Sequence, residues 1–191
     1  MIRKVCVFCA SGDKCDRSYL LEAENLGRLL ALNNKEIIYG GGKVGLMGAM
    51  ADSTISNYGK VTGVIPGFMV DLELAHKDVD DLNVVETMHK REDYMISSAD
   101  CIIVLPGSIG TYSELFQSIS WKFLGLITAP IILVNFRDYF RPALDMLNTA
   151  VREGFMNAND LSLIRVVDSA DDAIAMICNE IQPEPVSTFL A

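Results

Sequence analysis

The sequence predicts an α/β fold, a doubly wound parallel sheet with helices on both faces. Short β-branched runs alternate with longer segments of helical period, as in chains of strand–helix units. Several of the short runs are continuously apolar, as strands buried on both faces must be. The least ordinary residues stand directly after these runs, where such sheets bind ligands.

The first strand is Val5–Cys9, followed by Ala10-Ser11-Gly12. Small residues there let the backbone approach a ligand and Ser11 offers a hydroxyl, although a plain turn explains them equally well. Helical period runs over Tyr19–Leu32, and Glu36–Tyr39 reads as the second strand. Gly40-Gly41-Gly42-Lys43-Val44-Gly45 then opens a helix over Leu46–Asn57. Consecutive glycines expose amide groups without Cβ obstruction. The positive end of the following helix favours a phosphate or other anion at the Gly40–Gly42 loop. The loop has neither dinucleotide-fingerprint nor P-loop spacing.

Val61–Ile65 and Asn83–Glu86 are the third and fourth strands, the latter followed by a helix over Arg91–Ser97. Lys90 and Arg91 sit near that helix's N-terminus, where the dipole disfavours cations, which raises the case for function. His89 reads as a structural hydrogen bonder and Met95 as core, while Glu92 and Asp93 are solvated or pair with neighbouring cations. The fifth strand, Cys101–Leu105, leads into Pro106-Gly107-Ser108-Ile109-Gly110-Thr111-Tyr112-Ser113-Glu114 and a helix over Tyr112–Leu124. Thr111 can cap that helix or bind a phosphate oxygen. Glu114 is either a first-turn acid favoured by the dipole or a functional carboxylate, and spacing leaves both open. Ile131–Val134, Pro142–Glu153, Ile164–Val167 and Ala170–Ile181 complete the alternation. Residues 1–181 form one α/β domain. Gln182–Ala191, with two prolines, is an irregular tail.

A net charge of −9 argues against general binding to nucleic acid or an anionic membrane. No stretch approaches the ~20 apolar residues of a membrane span. The chain opens on a run too short for a signal segment, and its five cysteines are an odd number, so the protein reads as cytoplasmic with free thiols. Cys6-x-x-Cys9 has metal-half-site spacing but lies in an apolar strand with no second pair, and reads as buried core. Neither metal nor cofactor is expected.

Together these residues resemble the LOG (Lonely Guy) family of cytokinin-activating phosphoribohydrolases. The family signatures PGGxGTxxE and Met-His-x-Arg-Lys correspond to Pro106–Glu114 and Met88-His89-Lys90-Arg91-Glu92. Val5-Cys-Val-Phe-Cys9, Tyr39–Gly48, Val61–Pro66, Trp121 and Glu153-Gly-Phe155 match in order, so the resemblance covers nearly the whole chain. It implies a Rossmann-like nucleotide-binding domain in a homodimer or larger homo-oligomer. The implied activity is hydrolysis of an adenine-type nucleoside 5′-monophosphate to free base and ribose 5-phosphate.

Carried over residue by residue, the catalytic pair is Arg91 and Glu114. The substrate contacts are Gly110 and Thr111 with the Gly107–Ser108 turn, Ser11 and the Gly41–Gly42 loop nearby, and Met88 or Met95 against the base. Two residues depart from the pattern. Ser108 replaces a glycine, at a cost of about 1 kcal/mol if that position needs positive φ. Glu92 replaces a lysine and reverses a charge near the phosphate.

N-glycosidic cleavage develops positive charge on the ribose. A carboxylate near the anomeric carbon stabilises that charge and can orient or deprotonate water, the role expected of Glu114. Arg91 would keep it ionised and oriented, or bind a ribose hydroxyl or the phosphate. Three other readings compete: a non-catalytic nucleotide-binding protein, a dinucleotide-dependent dehydrogenase and a pyridoxal-phosphate lysine decarboxylase. The loop spacing counts against the second. Small size and the lack of a convincing Schiff-base lysine count against the third.

Overall fold

A computed structural model describes residues 1–72 and 74–179. Its strands are β1 (Lys4–Phe8), β2 (Glu36–Tyr39), β3 (Val61–Pro66), β4 (Asp81–Val85), β5 (Cys101–Val104), β6 (Ile131–Val134) and β7 (Ile164–Val167). Its helices are α1 (Arg17–Leu32), α2 (Gly45–Ser56), α3 (Gly67–Asp71), α4 (Met88–Ser97), α5 (Ile109–Phe123), α6 (Arg141–Arg152) and α7 (Ala170–Cys178). All seven strands run parallel in one sheet ordered β4-β3-β2-β1-β5-β6-β7.

Alternation along each strand sends side chains into two separate cores. Val5, Val7 and Cys9 face one core with Leu26, Leu30 and Met50 of α1 and α2. Cys6 and Phe8 face the other with Met95, Leu115 and Ile119 of α4 and α5. Cys101 and Ile103 against Ile102 and Val104 repeat the split on β5. Helices therefore cover both faces, as the apolar strand runs require. Full burial of each such side chain is worth roughly 1.5–3 kcal/mol.

The chain winds outward from β1 through β2 and β3 to β4, then returns to place β5 on the other side of β1. The reversal opens a crevice at the carboxyl ends of β1 and β5, the position where doubly wound sheets bind ligands. The loops after Phe8, Tyr39 and Val104 converge there.

Several boundaries differ from those predicted. Strand β4 is the sheet edge and starts at Asp81 rather than Asn83, because its exposed face carries polar residues that hide the strand signal. Helix α4 starts at Met88 rather than Arg91, because the Thr87 hydroxyl accepts a hydrogen bond from the Lys90 amide and caps it there. Helix α5 starts at Ile109 rather than Tyr112. The five-residue α3 and the 3-10 turns at Phe136–Asp138 and Ala158–Leu163 were not anticipated; each is too short to show a period. The tail Gln182–Ala191 and the last two residues of the predicted final helix, Glu180 and Ile181, lie outside the described residues.

Candidate active site

A cavity of about 480 Å³ occupies the crevice. Ala10 and Ser11 after β1, Gly40 and Gly42 after β2, Met88, Arg91 and Glu92 of α4, and Ser108 to Thr111 with Glu114 of α5 all line it. Four chain segments remote in sequence thus meet at one point.

Glu114 is the sixth residue of α5 and only 3% exposed. The expectation of a first-turn acid is therefore corrected, since the helix opens earlier and Glu114 lies in its second turn. The dipole does not account for a buried carboxylate at that depth, because its effect fades beyond the first turn. The partner does. Arg91 Nη1 donates to Glu114 Oε1 at 2.7 Å, and Arg91 Nε donates to the Val64 carbonyl at 3.0 Å. Arg91 itself is 4% exposed. Burial pushes the Glu114 carboxyl up to about 7; Arg91 holds it from rising further, and the charge of Glu92 adds to the rise.

The two glycine-rich loops differ in what they offer an anion. At α2 the Met47 amide, one of those left free by helix geometry, donates to the Ala10 carbonyl at 3.2 Å. A neighbouring strand-like segment pins the loop before it: His76 N–H donates to the Gly41 carbonyl at 2.8 Å, and Lys43 N–H to the Leu74 carbonyl at 3.2 Å. His76, almost fully buried, is itself held by Asp52 at 3.0 Å. At α5, by contrast, the amides of Ile109, Gly110 and Thr111 form the open first turn of a 15-residue helix on the cavity wall. That terminus is the better anion site.

Ser108 is the N-cap residue of α5 at φ −104°. An L-residue adopts this backbone freely, so the predicted strain from serine in place of glycine is absent. Gly107 is different. A methyl group there would lie 2.0 Å from Thr111 Oγ1, so only glycine keeps the threonine where it is. Thr111 is the third residue of α5, buried and facing the cavity, and not its cap.

The structure brings together Arg91, Glu114, Ser11, Gly42, Met88, Ser108, Gly110 and Thr111 on one wall system. It leaves three predicted contacts off that wall. Met95 is 0% exposed in the core beneath α4. Gly41 makes the turn behind the loop at φ +73° and packs against Ile65. Gly107 lines a neighbouring cleft of about 260 Å³ with Tyr19 and Tyr139. His89 is exposed, and among the described residues nothing hydrogen-bonds its ring. Sequence reasoning missed Gly40, Met47 and Met69 on the wall. The run of three glycines was the available signal for Gly40; nothing local marked the two methionines.

Burial pushes the thiols of Cys6, Cys9 and Cys101 up, in keeping with core cysteines. Among the described residues no cluster of His, Cys, Asp or Glu could hold a metal, and no helix is long and apolar enough to cross a membrane.

Comparison with known proteins agrees with this geometry. Residues 47–177 match a family model described as "Possible lysine decarboxylase". A cytokinin riboside 5′-monophosphate phosphoribohydrolase of Rhodococcoides fascians is 38% identical over 176 residues, covering 92% of this chain and 89% of that protein. One of Arabidopsis thaliana is 35% identical over 189 residues, covering 98% and 87%. Among solved structures, the molybdenum cofactor carrier protein of Chlamydomonas reinhardtii shares the fold, with a TM-score of 0.71 at 19% identity over 94% of this chain and 98% of that one. The molybdenum cofactor binding protein of Rippkaea orientalis does likewise, with a TM-score of 0.72 at 20% identity over 95% and 99%. At these identities the solved structures speak for the fold alone, whereas the sequence relatives and the matched motifs decide the family: the chain belongs to the LOG family of cytokinin riboside 5′-monophosphate phosphoribohydrolases.

Proposed function

We propose that the protein hydrolyses the N-glycosidic bond of an adenine-type nucleoside 5′-monophosphate, releasing the free base and ribose 5-phosphate. One observation carries the reading. A carboxylate and a guanidinium, 2.7 Å apart and buried together, line one cavity with the open N-terminus of α5, the helix that also carries the carboxylate one turn further on. An acid and an anion site so placed suit a sugar phosphate with its anomeric carbon toward the acid.

The 5′-phosphate binds the amides of Ile109, Gly110 and Thr111 and the Thr111 hydroxyl. This remote binding energy fixes the ribose beside Glu114. As the bond from the anomeric carbon to the base breaks, positive charge spreads over the ring, and the Glu114 carboxylate stabilises it. Water then bonds to the anomeric carbon with its proton passing to Glu114, while the departing base takes up a proton from solvent and Glu114 returns its own to solvent, so that one water is consumed. A carboxyl raised to about 7 is suited to accept a proton near neutrality. Arg91 orients the carboxylate. The base lies against the methionine side of the cavity, where Met47, Met69 and Met88 are available; Met88 is thereby preferred to Met95.

The protein acts as a homodimer or larger homo-oligomer in the cytoplasm. Exposed apolar side chains such as Ile109, Phe155 and Leu126 support the first point, and cysteines without disulfides the second. Free-base release from AMP and N6-isopentenyl-AMP, each beside its nucleoside, tests the function. Release from the monophosphates and not from the nucleosides is expected. Equal release from both would remove the phosphate anchor, and no release from any would leave a nucleotide-binding protein without catalysis.

A further inference from the structure

The Arg91 guanidinium is held on three sides. Its Nε donates to the Val64 carbonyl and its Nη1 to Glu114. Among the described residues no hydrogen bond explains the third side. There the guanidinium lies against Gly40, where a methyl group would sit 1.9 Å from Nη2 and 3.1 Å from Cζ. The same point is 3.0 Å from the Met47 terminal methyl, which closes the seat.

The backbone is the partner with less room to yield. Gly40 follows the fully buried Tyr39 of β2 and precedes the turn at Gly41, whose carbonyl is tied to the His76 amide. Arg91 projects from a helix whose start is fixed by the Thr87 cap. A side chain at position 40 could be admitted only by moving the guanidinium itself. The neighbouring Gly42 is not under this constraint, since a methyl group there meets the flexible Met47 thioether at 3.2 Å.

We propose that Gly40 is a positioning residue for the reaction: its missing side chain is the seat that sets where the Arg91 guanidinium lies and, through it, the Glu114 carboxylate. The seat stands on geometry alone, while its effect on turnover rests on the hydrolase function proposed above. The first residue of the glycine run thereby acquires a purpose distinct from phosphate binding. Arg91 opposes the rise of the Glu114 carboxyl. Displacing the guanidinium therefore lets that carboxyl rise further.

A melting-temperature cycle on the full chain separates the two layers. Gly40→Ala is expected to lower the melting temperature of the wild-type protein and to leave that of Arg91→Ala unchanged, because the obstacle is gone. If Gly40→Ala proves insoluble, recovery of soluble protein in the double variant gives the same answer. An equal fall in both backgrounds, or a double variant that fails to fold where Arg91→Ala alone folds, would overturn the seat by showing that position 40 needs glycine for its own backbone.

Base release is the second readout. In Gly40→Ala, kcat should fall about a hundredfold, the scale of an ångström-sized misplacement. KM should stay within about threefold and the acidic limb of the pH profile should move to higher pH. An unchanged kcat and pH profile would overturn the positioning role. If the wild-type protein cleaves no monophosphate, the proposed function fails, but the melting cycle still decides the seat.

Discussion

Arg91 Nη1 lies 2.7 Å from Glu114 Oε1, with both side chains 5% exposed. A charged pair withdrawn from water this far is weak evidence for stability, because desolvation offsets most of the attraction. Breaking it from one side is another matter. Arg91→Ala leaves the buried Glu114 without its cation, and the loss should approach about 3 kcal/mol at alkaline pH, where the carboxyl would have to ionise alone, measurable by urea denaturation. The loss should shrink on acidification as Glu114 takes up a proton. A loss independent of pH would mean that packing, not charge, holds this corner.

The raised carboxyl gives a signed expectation for stability against pH. The folded value is about 7 against an ordinary 4.5, so the folded state binds this proton more tightly than the unfolded state. The contribution is fully present below about 4.5 and is lost as pH rises through about 7. Glu114→Gln should flatten stability over that window compared with wild type. A wild-type curve already flat there would show that the carboxyl is not raised.

Activity has the opposite slope. A base must be ionised, so kcat/KM should rise with pH along an acidic limb near 7. Glu92 adds to the upward push. Glu92→Lys replaces repulsion by attraction and should move the limb to lower pH, while strengthening phosphate binding. A limb unmoved by this substitution would detach Glu92 from the site.

The two residues that precede α5 should respond in opposite ways. Ser108 has an ordinary backbone conformation, so Ser108→Gly should keep activity within about twofold and lower stability by about 0.5 kcal/mol through the unfolded chain. Gly107→Ala drives a methyl group onto Thr111 and should raise KM for the monophosphate about tenfold or more. Steady-state kinetics and thermal melts of both variants check this. Greater harm from Ser108→Gly than from Gly107→Ala would contradict the geometry.

Much of the fold was legible because burial on both faces writes continuous apolar runs into β1, β5 and β6. The edge strand β4, half-exposed, carried a weaker pattern and was placed two residues late. At the site, the dipole argument marked Arg91 as anomalous, and the structure shows what offsets the anomaly: the buried Glu114 carboxylate pairs with it. Glu114 stayed ambiguous because its reading depended on where α5 begins, and Ser108 rather than Thr111 turned out to be the N-cap. What the sequence does not show around the glycine loop is non-local: the Lys43 and Met47 amides donate to Leu74 and Ala10, and the Gly41 carbonyl accepts from His76, all distant in the chain. Met88 and Met95 are indistinguishable by type; only the orientation of α4 puts one on the cavity and the other in the core.

The most direct test is to measure free-base release from a nucleoside 5′-monophosphate by wild type and Glu114→Gln, with calorimetric binding of the same nucleotide to both. Glu114→Gln should bind the nucleotide with similar affinity and lose turnover by about 10²- to 10⁴-fold, the range for removing a positioned acid–base group. Near-wild-type release by Glu114→Gln would contradict the role of this carboxylate in the chemistry.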